Sequence, residues 1–353
     1  MTFGPNHYVP VLKVKRGEKS ALKQVDASLK PRITPLLEIV ERKDNKTIHA
    51  HAKTAFDKLA ESVAAYPRCL LDLREIAPDG ESAAAMFFDR AVSEGLLFTP
   101  VTGISRTADV AAALAHQTNG LALRVTRAEF EAGALAARIS TFLTTHAVDP
   151  STVDLIADLG PVEDLIAEGI MALTSAFLAE IPQQTQWRTL TVSGCAFPLS
   201  MGVVGKDSNI FVDRAEWVAW KSGLFANRTS LERLPTFSDC AIQHPIGVEG
   251  FNPLFMAASA AVRYARPEHW LLIKGVSTKV IPPTDQFPQL AIGLAYGHLK
   301  HLFYGASHCA GCASIKASAD GVSGYGGPEA WRKIGTVHHL SVAMQEIETL
   351  PWP

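Results

Sequence analysis

One pattern limits the fold of this chain more than any other. Short apolar runs alternate with amphipathic, Ala- and Leu-rich segments over the first two thirds of its length. The runs are YVPVLKV (8–14), ITPLLEI (33–39), CLLDLRE (69–75), LLFTPVT (96–102), GLALRVT (120–126), TVDLIADL (152–159), WRTLTVSG (187–194) and SDCAIQH (238–244). Runs of this length read as buried strands. Segments 16–30, 47–66, 80–95, 106–117, 127–147 and 162–181 follow the first six and read as helices. Ala and Leu favour helix strongly, and Thr126 and Ser105 are placed to cap the helices after them.

Strand and helix repeated in this way predict a parallel sheet covered by helices. Eight units predict an α/β fold of the closed (β/α)8, TIM-like type. An open doubly wound sheet is the competing arrangement. No GxGxxG or GxxxxGK[ST] loop follows any of these strands, which weighs against it. GVSGYGG (321–327) follows no clear strand and reads as a plain loop. The repeat loosens after residue 195. There, 196–214 reads as a long loop before a helix at 213–225. We expect residues 1–250 to form the barrel. Residues 251–353 form a C-terminal extension, with segments 251–265, 269–277, 284–305 and 328–350, that packs on the barrel and closes it.

Composition narrows the function classes. There are 33 basic and 35 acidic residues, for a formal net charge of −2, so no broad nucleic-acid surface is expected. No apolar stretch is long enough to span a bilayer, and no targeting signal is visible at the start of the sequence. Cys69, Cys195 and Cys240 lie in apolar runs and read as buried thiols. With Cys309 and Cys312 they make an odd count, which points to the cytoplasm.

The candidate site comes from asking how each strand ends. The first run carries Lys13, with Lys15 and Arg16 beyond it; Glu38 ends the second; Asp72 and Arg74 end the third. Thr102, with Arg106 beyond it, ends the fourth. Arg124, Asp158 and Ser193 end the fifth to seventh, and Gln243 and His244 the eighth. All lie at the C-terminal ends, the face on which barrels build their pockets. Asp72 and Arg74 are two apart, so on a strand they share a face. Lys13, Arg74 and Arg124 suit an anion, because guanidinium matches phosphate or carboxylate through paired donors. Glu38, Asp72 and Asp158 suit general acid–base work or a Mg²⁺-like ion. Histidine is the side chain suited to proton exchange near neutral pH, which makes His244 a further catalytic candidate. Ser193 and Gln243 complete the ligand-binding set. Against this stands a plain alternative: charged strand ends that only pair into a plug.

HCAGC (308–312) and VHHL (337–340) offer Cys309, Cys312 and one or two of His308, His338 and His339 to zinc. The spacing is loose and no second Cys pair exists, so no metal site is assigned. A redox CxxC lacks a thioredoxin-like context. No G-x-S-x-G elbow is present. Trp217 and Trp220 on one helix read as core, with a partner surface as the other option.

YVPVLKVKRGE followed by ITPLLEI resembles the opening of the beta-family proteins of bacteria, phages and other mobile elements. FSDCAIQHP (237–245), AVRYA (261–265), WLLIKG (270–275) and WRKIGTVHHLSV (331–342) resemble that family's later motifs. HCAGC departs from the family pattern, which weighs further against zinc. The resemblance implies a barrel-like α/β fold and a role in phage defence or genome conflict. It carries over no catalytic residues. It adds Arg263 to the ligand-binding candidates and draws attention to Lys274, His338 and His339 within the matching stretches. The expectation is therefore a barrel pocket for a phosphorylated small molecule, nucleotide or nucleic-acid end. A protein partner in a defence system is a further expectation. The competing expectation is a non-catalytic scaffold subunit of a phage-defence or phage-encoded complex.

Overall fold

The structure, a computed structural model, describes residues 2–246, 259–324 and 326–352. Seven strands of the main sheet come in chain order: β1 (Val11–Lys13), β2 (Leu36–Glu38), β3 (Cys69–Asp72), β4 (Phe98–Thr102), β5 (Leu121–Thr126), β6 (Val153–Pro161) and β7 (Thr189–Cys195). A further strand, β8 (Ser208–Asp213), leaves this sheet, and β9 (Thr236–Asp239) completes it as the eighth strand. Every pairing within it is parallel. Tyr8 bridges Ile33 on one side and Phe237 on the other, so the first and last strands meet in a nearly closed barrel. The strands read as unbroken apolar runs because helices outside and side chains inside bury both faces.

Helices alternate with these strands: α1 (Arg16–Gln24), α2 (Ile48–Phe56), α3 (Leu59–Val63), α4 (Glu81–Ser93), α5 (Val110–Ala115), α6 (Arg127–Glu131), α7 (Leu135–His146) and α8 (Ala167–Ala179). Thr126 caps α6 through a capping box with Glu129, as its position predicts. Ser105 caps nothing; its hydroxyl accepts from Arg138 at 2.7 Å. Two expected helices are each broken in two. Lys58 divides α2 from α3 and Ala134 divides α6 from α7, both at positive φ.

The loop expected over 196–214 contains β8, which pairs antiparallel with β11 (His269–Ser277). With β10 (Ser259–Ala265) they form a second sheet, ordered β10-β11-β8. Lys206 and Asp207 lie just before β8, and one half-exposed edge strand carries a weak apolar signal. The eighth strand also lies earlier than expected, at 236–239 rather than 238–244. The apolar residues Cys240, Ala241 and Ile242 are buried in a turn instead. Short α9 (Ala215–Val218) continues into a π-helical turn at 219–225. Trp217 and Trp220 stack at 5.5 Å there and are fully buried, so they offer no partner surface.

A second apolar core lies between the antiparallel sheet and α10 (Pro283–Ala295), α11 (Ala310–Ala319) and α12 (Pro328–Glu348). α12 also packs on α1, which brings the end of the chain back to the barrel. The boundary expected at residue 250, the first part of segment 251–265, and Tyr325 of GVSGYGG lie outside the described residues. No helix among the described residues is long and apolar enough to cross a membrane.

Candidate functional site at the barrel mouth

Register places Lys13, Glu38 and Asp72 side by side at the ends of β1, β2 and β3. Two carboxylates on adjacent rungs repel unless a cation joins them. Arg124, pointing inward from β5, does so. Its Nη1 donates to Glu38 at 2.7 Å and to Asp72 at 2.8 Å, and its Nε donates to Asp158 at 2.8 Å. Arg106 lies 2.8 Å from the other Asp72 oxygen and also binds Asp109, which accepts from Thr102 at 2.6 Å. Arg124 is 2% exposed and Asp72 fully buried. Burial alone would raise the pKa of both acids. Arg106, Arg124 and Arg74 outweigh it at Asp72, and Arg124, Lys13 and Arg74 outweigh it at Glu38. Both are held below their ordinary values and stay ionised.

This layer is a floor of paired charge. One Glu38 oxygen, both Asp72 oxygens and one Asp158 oxygen meet guanidinium groups, so the donor set fits arginine rather than Mg²⁺. Glu38 and Asp72 are ionised acceptors here, a form unsuited to general acid work.

Above the floor lies a cleft of about 580 Å³. Lys13, Lys15, Arg74, Glu75, Asp158 and His244 line it, with the edge of Arg124 beneath. The cations over the cleft are only loosely held. Arg74 stands 3.6 Å from Glu38 and 3.8 Å from Asp158, and Lys13 3.6 Å from Glu38. Lys15 is exposed at the cleft. Arg74 reaches the mouth, but not by strand alternation. β3 stops at Asp72, whose carboxylate accepts the Arg74 amide at 2.9 Å, and Arg74 opens a 3-10 turn over 74–79.

The remaining candidates separate. Gln243 and His244 do not end a strand; they sit in the turn after β9 and still line the cleft. Gln243 donates to Glu18, and His244 Nε2 lies 3.0 Å from Glu163. Ser193 bonds to Ser238 at 3.0 Å inside the barrel and does not reach the cleft. Arg263 lies on β10 in the second sheet, where burial and nearby Arg332 push its pKa down to about 10.

Strand-end reading missed Asp239, the true end of β9. Its carboxylate accepts from Tyr8 at 2.5 Å and from His339 Nε2 at 2.9 Å. His339 Nδ1 in turn accepts from Trp270 at 3.2 Å. The signal was present in FSDCAIQH, but the apolar residues after Asp239 carried the predicted strand past it.

Fold and site together define a parallel α/β barrel with a charged mouth at its strand C-termini. Residues 8–345 match the family model described as Beta protein, and the chain belongs to that family. A search of curated proteins gives no match. Among solved structures, the chain is similar to a mandelate racemase/muconate lactonizing protein from Herpetosiphon aurantiacus, at 11% identity and a TM-score of 0.34. The alignment covers 77% of this chain and 63% of that one.

Proposed function

We propose that the barrel mouth binds a small anion bearing phosphate, such as a nucleotide or a phosphodiester end. Lys13, Lys15 and Arg74 are its donors and Arg124 stiffens the floor beneath it. One observation carries the reading: charge is unequally consumed. Glu38 is hydrogen-bonded to Arg124 and Asp72 is paired with Arg124 and Arg106, whereas Lys13 and Arg74 over the cleft come no closer than 3.5 Å to any carboxylate. Guanidinium and ammonium groups in that state suit phosphate. Asp158 and His244, whose Nε2 lies 3.0 Å from Glu163, line the same cleft.

Five free cysteines support a reducing, cytoplasmic setting. Family membership directs the biological test to phage defence. The second reading is a scaffold subunit of a phage-defence or phage-encoded complex. It is favoured by the exposed apolar residues Leu199, Val203 and Phe211 on the 196–214 segment.

Mass spectrometry of small molecules released from the purified protein, followed by calorimetric titration with nucleotides and inorganic phosphate, tests the first reading. The expected result is a phosphate-bearing ligand that Arg74→Ala and Lys13→Ala each weaken by at least about tenfold, as loss of a charge-assisted hydrogen bond implies. Undiminished binding in both variants would remove the mouth as the site. Absence of any anion binding, together with a stoichiometric protein partner lost on Phe211→Asp, would favour the scaffold.

A further inference from the structure

The HCAGC segment lies far from the barrel mouth in sequence and in the second core. Cys309 is the N-cap of α11, and Cys312 sits in the first turn of that helix. His338 reaches both from α12: its Nδ1 is 3.6 Å from the Cys309 sulfur and 3.4 Å from the Cys312 sulfur. One ring nitrogen of His308, the Cys309 sulfur and one ring nitrogen of His338 all lie within 4.8 Å of one another. The Cys312 amide also donates to the Cys309 sulfur at 3.4 Å. Zinc bonds of about 2.3 Å to sulfur and 2.0–2.1 Å to nitrogen place S and N roughly 3.5 Å apart in a tetrahedron. Both measured S···N distances match that edge.

The surroundings are those of a metal ligand set. His338 Nε2 is 2.8 Å from the Ala265 carbonyl, which can only accept, so Nε2 carries the proton. In the neutral ring Nδ1 then presents its lone pair to the two sulfurs. A backbone carbonyl that fixes the far nitrogen in this way is the usual support of a metal-bound histidine. Tyr264 stacks on the His338 ring at 3.9 Å, and its hydroxyl lies 3.4 Å from the Cys312 sulfur. That hydroxyl already accepts the Tyr304 amide at 2.8 Å, which leaves its proton for the sulfur. Tyr304 stacks on His308 at 4.3 Å, and His308 Nε2 is buried without a partner among the described residues. His339 is not a ligand, since Asp239 and Trp270 occupy both of its nitrogens.

We propose that Cys309, Cys312, His338 and His308 form a structural site for zinc or a similar thiolate-binding divalent cation, which ties α11 to α12. Four protein ligands leave no open position, so the role is structural rather than catalytic. The site is independent of the proposed mouth ligand.

The test is zinc content of the purified full chain by elemental mass spectrometry, with cobalt substitution read by absorption. The expected result is stoichiometric zinc and a tetrahedral cobalt spectrum with thiolate charge transfer. Cys309→Ser keeps a good N-cap and so keeps the helix. It, His338→Gln and the half-exposed His308→Ala are each expected to weaken zinc at least about tenfold. His301→Ala, at an exposed histidine outside the set, leaves zinc unchanged. The proposal is overturned if the reduced wild type retains no zinc and gives only octahedral cobalt. Zinc held equally tightly by Cys309→Ser and His308→Ala would also overturn it. So would a Cys309–Cys312 disulfide whose reduction restores no zinc uptake.

Discussion

The barrel carries two layers of buried ion pairs, one at each end, built from the same residue types. At the N-terminal end, Asp154 of β6 accepts from Arg68 at 2.5 Å, from Arg188 at 2.7 and 2.9 Å, and from Thr189 at 2.8 Å. Arg68 also donates to Thr99 at 2.9 Å and lies over the Phe3 ring at 5.4 Å. Phe3 in turn stacks on His7 at 4.4 Å, so the N-terminal segment packs against that end. At the C-terminal end, Arg124 joins Glu38, Asp72 and Asp158, but three further cations stand above it over an open cleft. Ion pairs alone therefore do not identify a pocket. Loosely paired cations beside an open cleft distinguish the mouth.

The largest expected effect breaks the mouth layer. Arg124→Met leaves three buried carboxylates without their shared cation, a change expected to cost about 3–5 kcal/mol. Thermal denaturation would show it, and an unshifted melting temperature would mean that the layer does not hold the barrel together. At the opposite end, Asp154→Ala strands Arg68 and Arg188 in the same manner. We expect a loss of about 3 kcal/mol in stability with no change in anion affinity at the mouth. A change in affinity would erase the functional distinction between the two ends.

Glu216 sharpens the contrast, because it is a buried acid with neither oxygen hydrogen-bonded among the described residues. Burial, with Asp239 nearby, raises its pKa from 4.5 to about 8. A raised folded value means that its protonated form fits the core. Its contribution is intact below the unfolded value and is lost as pH climbs from about 4.5 to 8. Glu216→Gln should therefore stabilise the protein by on the order of 2 kcal/mol at pH 8 and by much less at pH 5. Equal melting shifts at the two pH values would contradict this account. The smallest stability effect is expected at Arg74. It is 33% exposed on its side chain and loosely paired, so Arg74→Ala should shift stability by less than about 1 kcal/mol while weakening the anion. A large loss of stability would move Arg74 from the cleft set to the floor.

Much of this was legible beforehand, for identifiable reasons. A strand buried on both faces must be apolar throughout, so β3 and β5 announced themselves and their polar ends stood out. Lys13, Glu38, Asp72, Arg124 and Asp158 were found in this way, and they do converge. The method failed where apolar burial was not in a strand. Cys240, Ala241 and Ile242 fill a turn, so Gln243 and His244 were placed at a strand end that belongs to Asp239. It failed also for β8, whose half-exposed edge gives little apolar signal.

The sequence by itself determined the alternation, and with it the barrel and the face on which the charges gather. Local periodicity encodes those features, because each element must bury its own apolar side. Only the tertiary structure decided which charges neutralise one another and which remain free. It also decided that His338 meets the two thiols while its neighbour His339 turns to Asp239. Those outcomes depend on separations of a few ångströms between residues tens to hundreds of positions apart, and no local pattern records them.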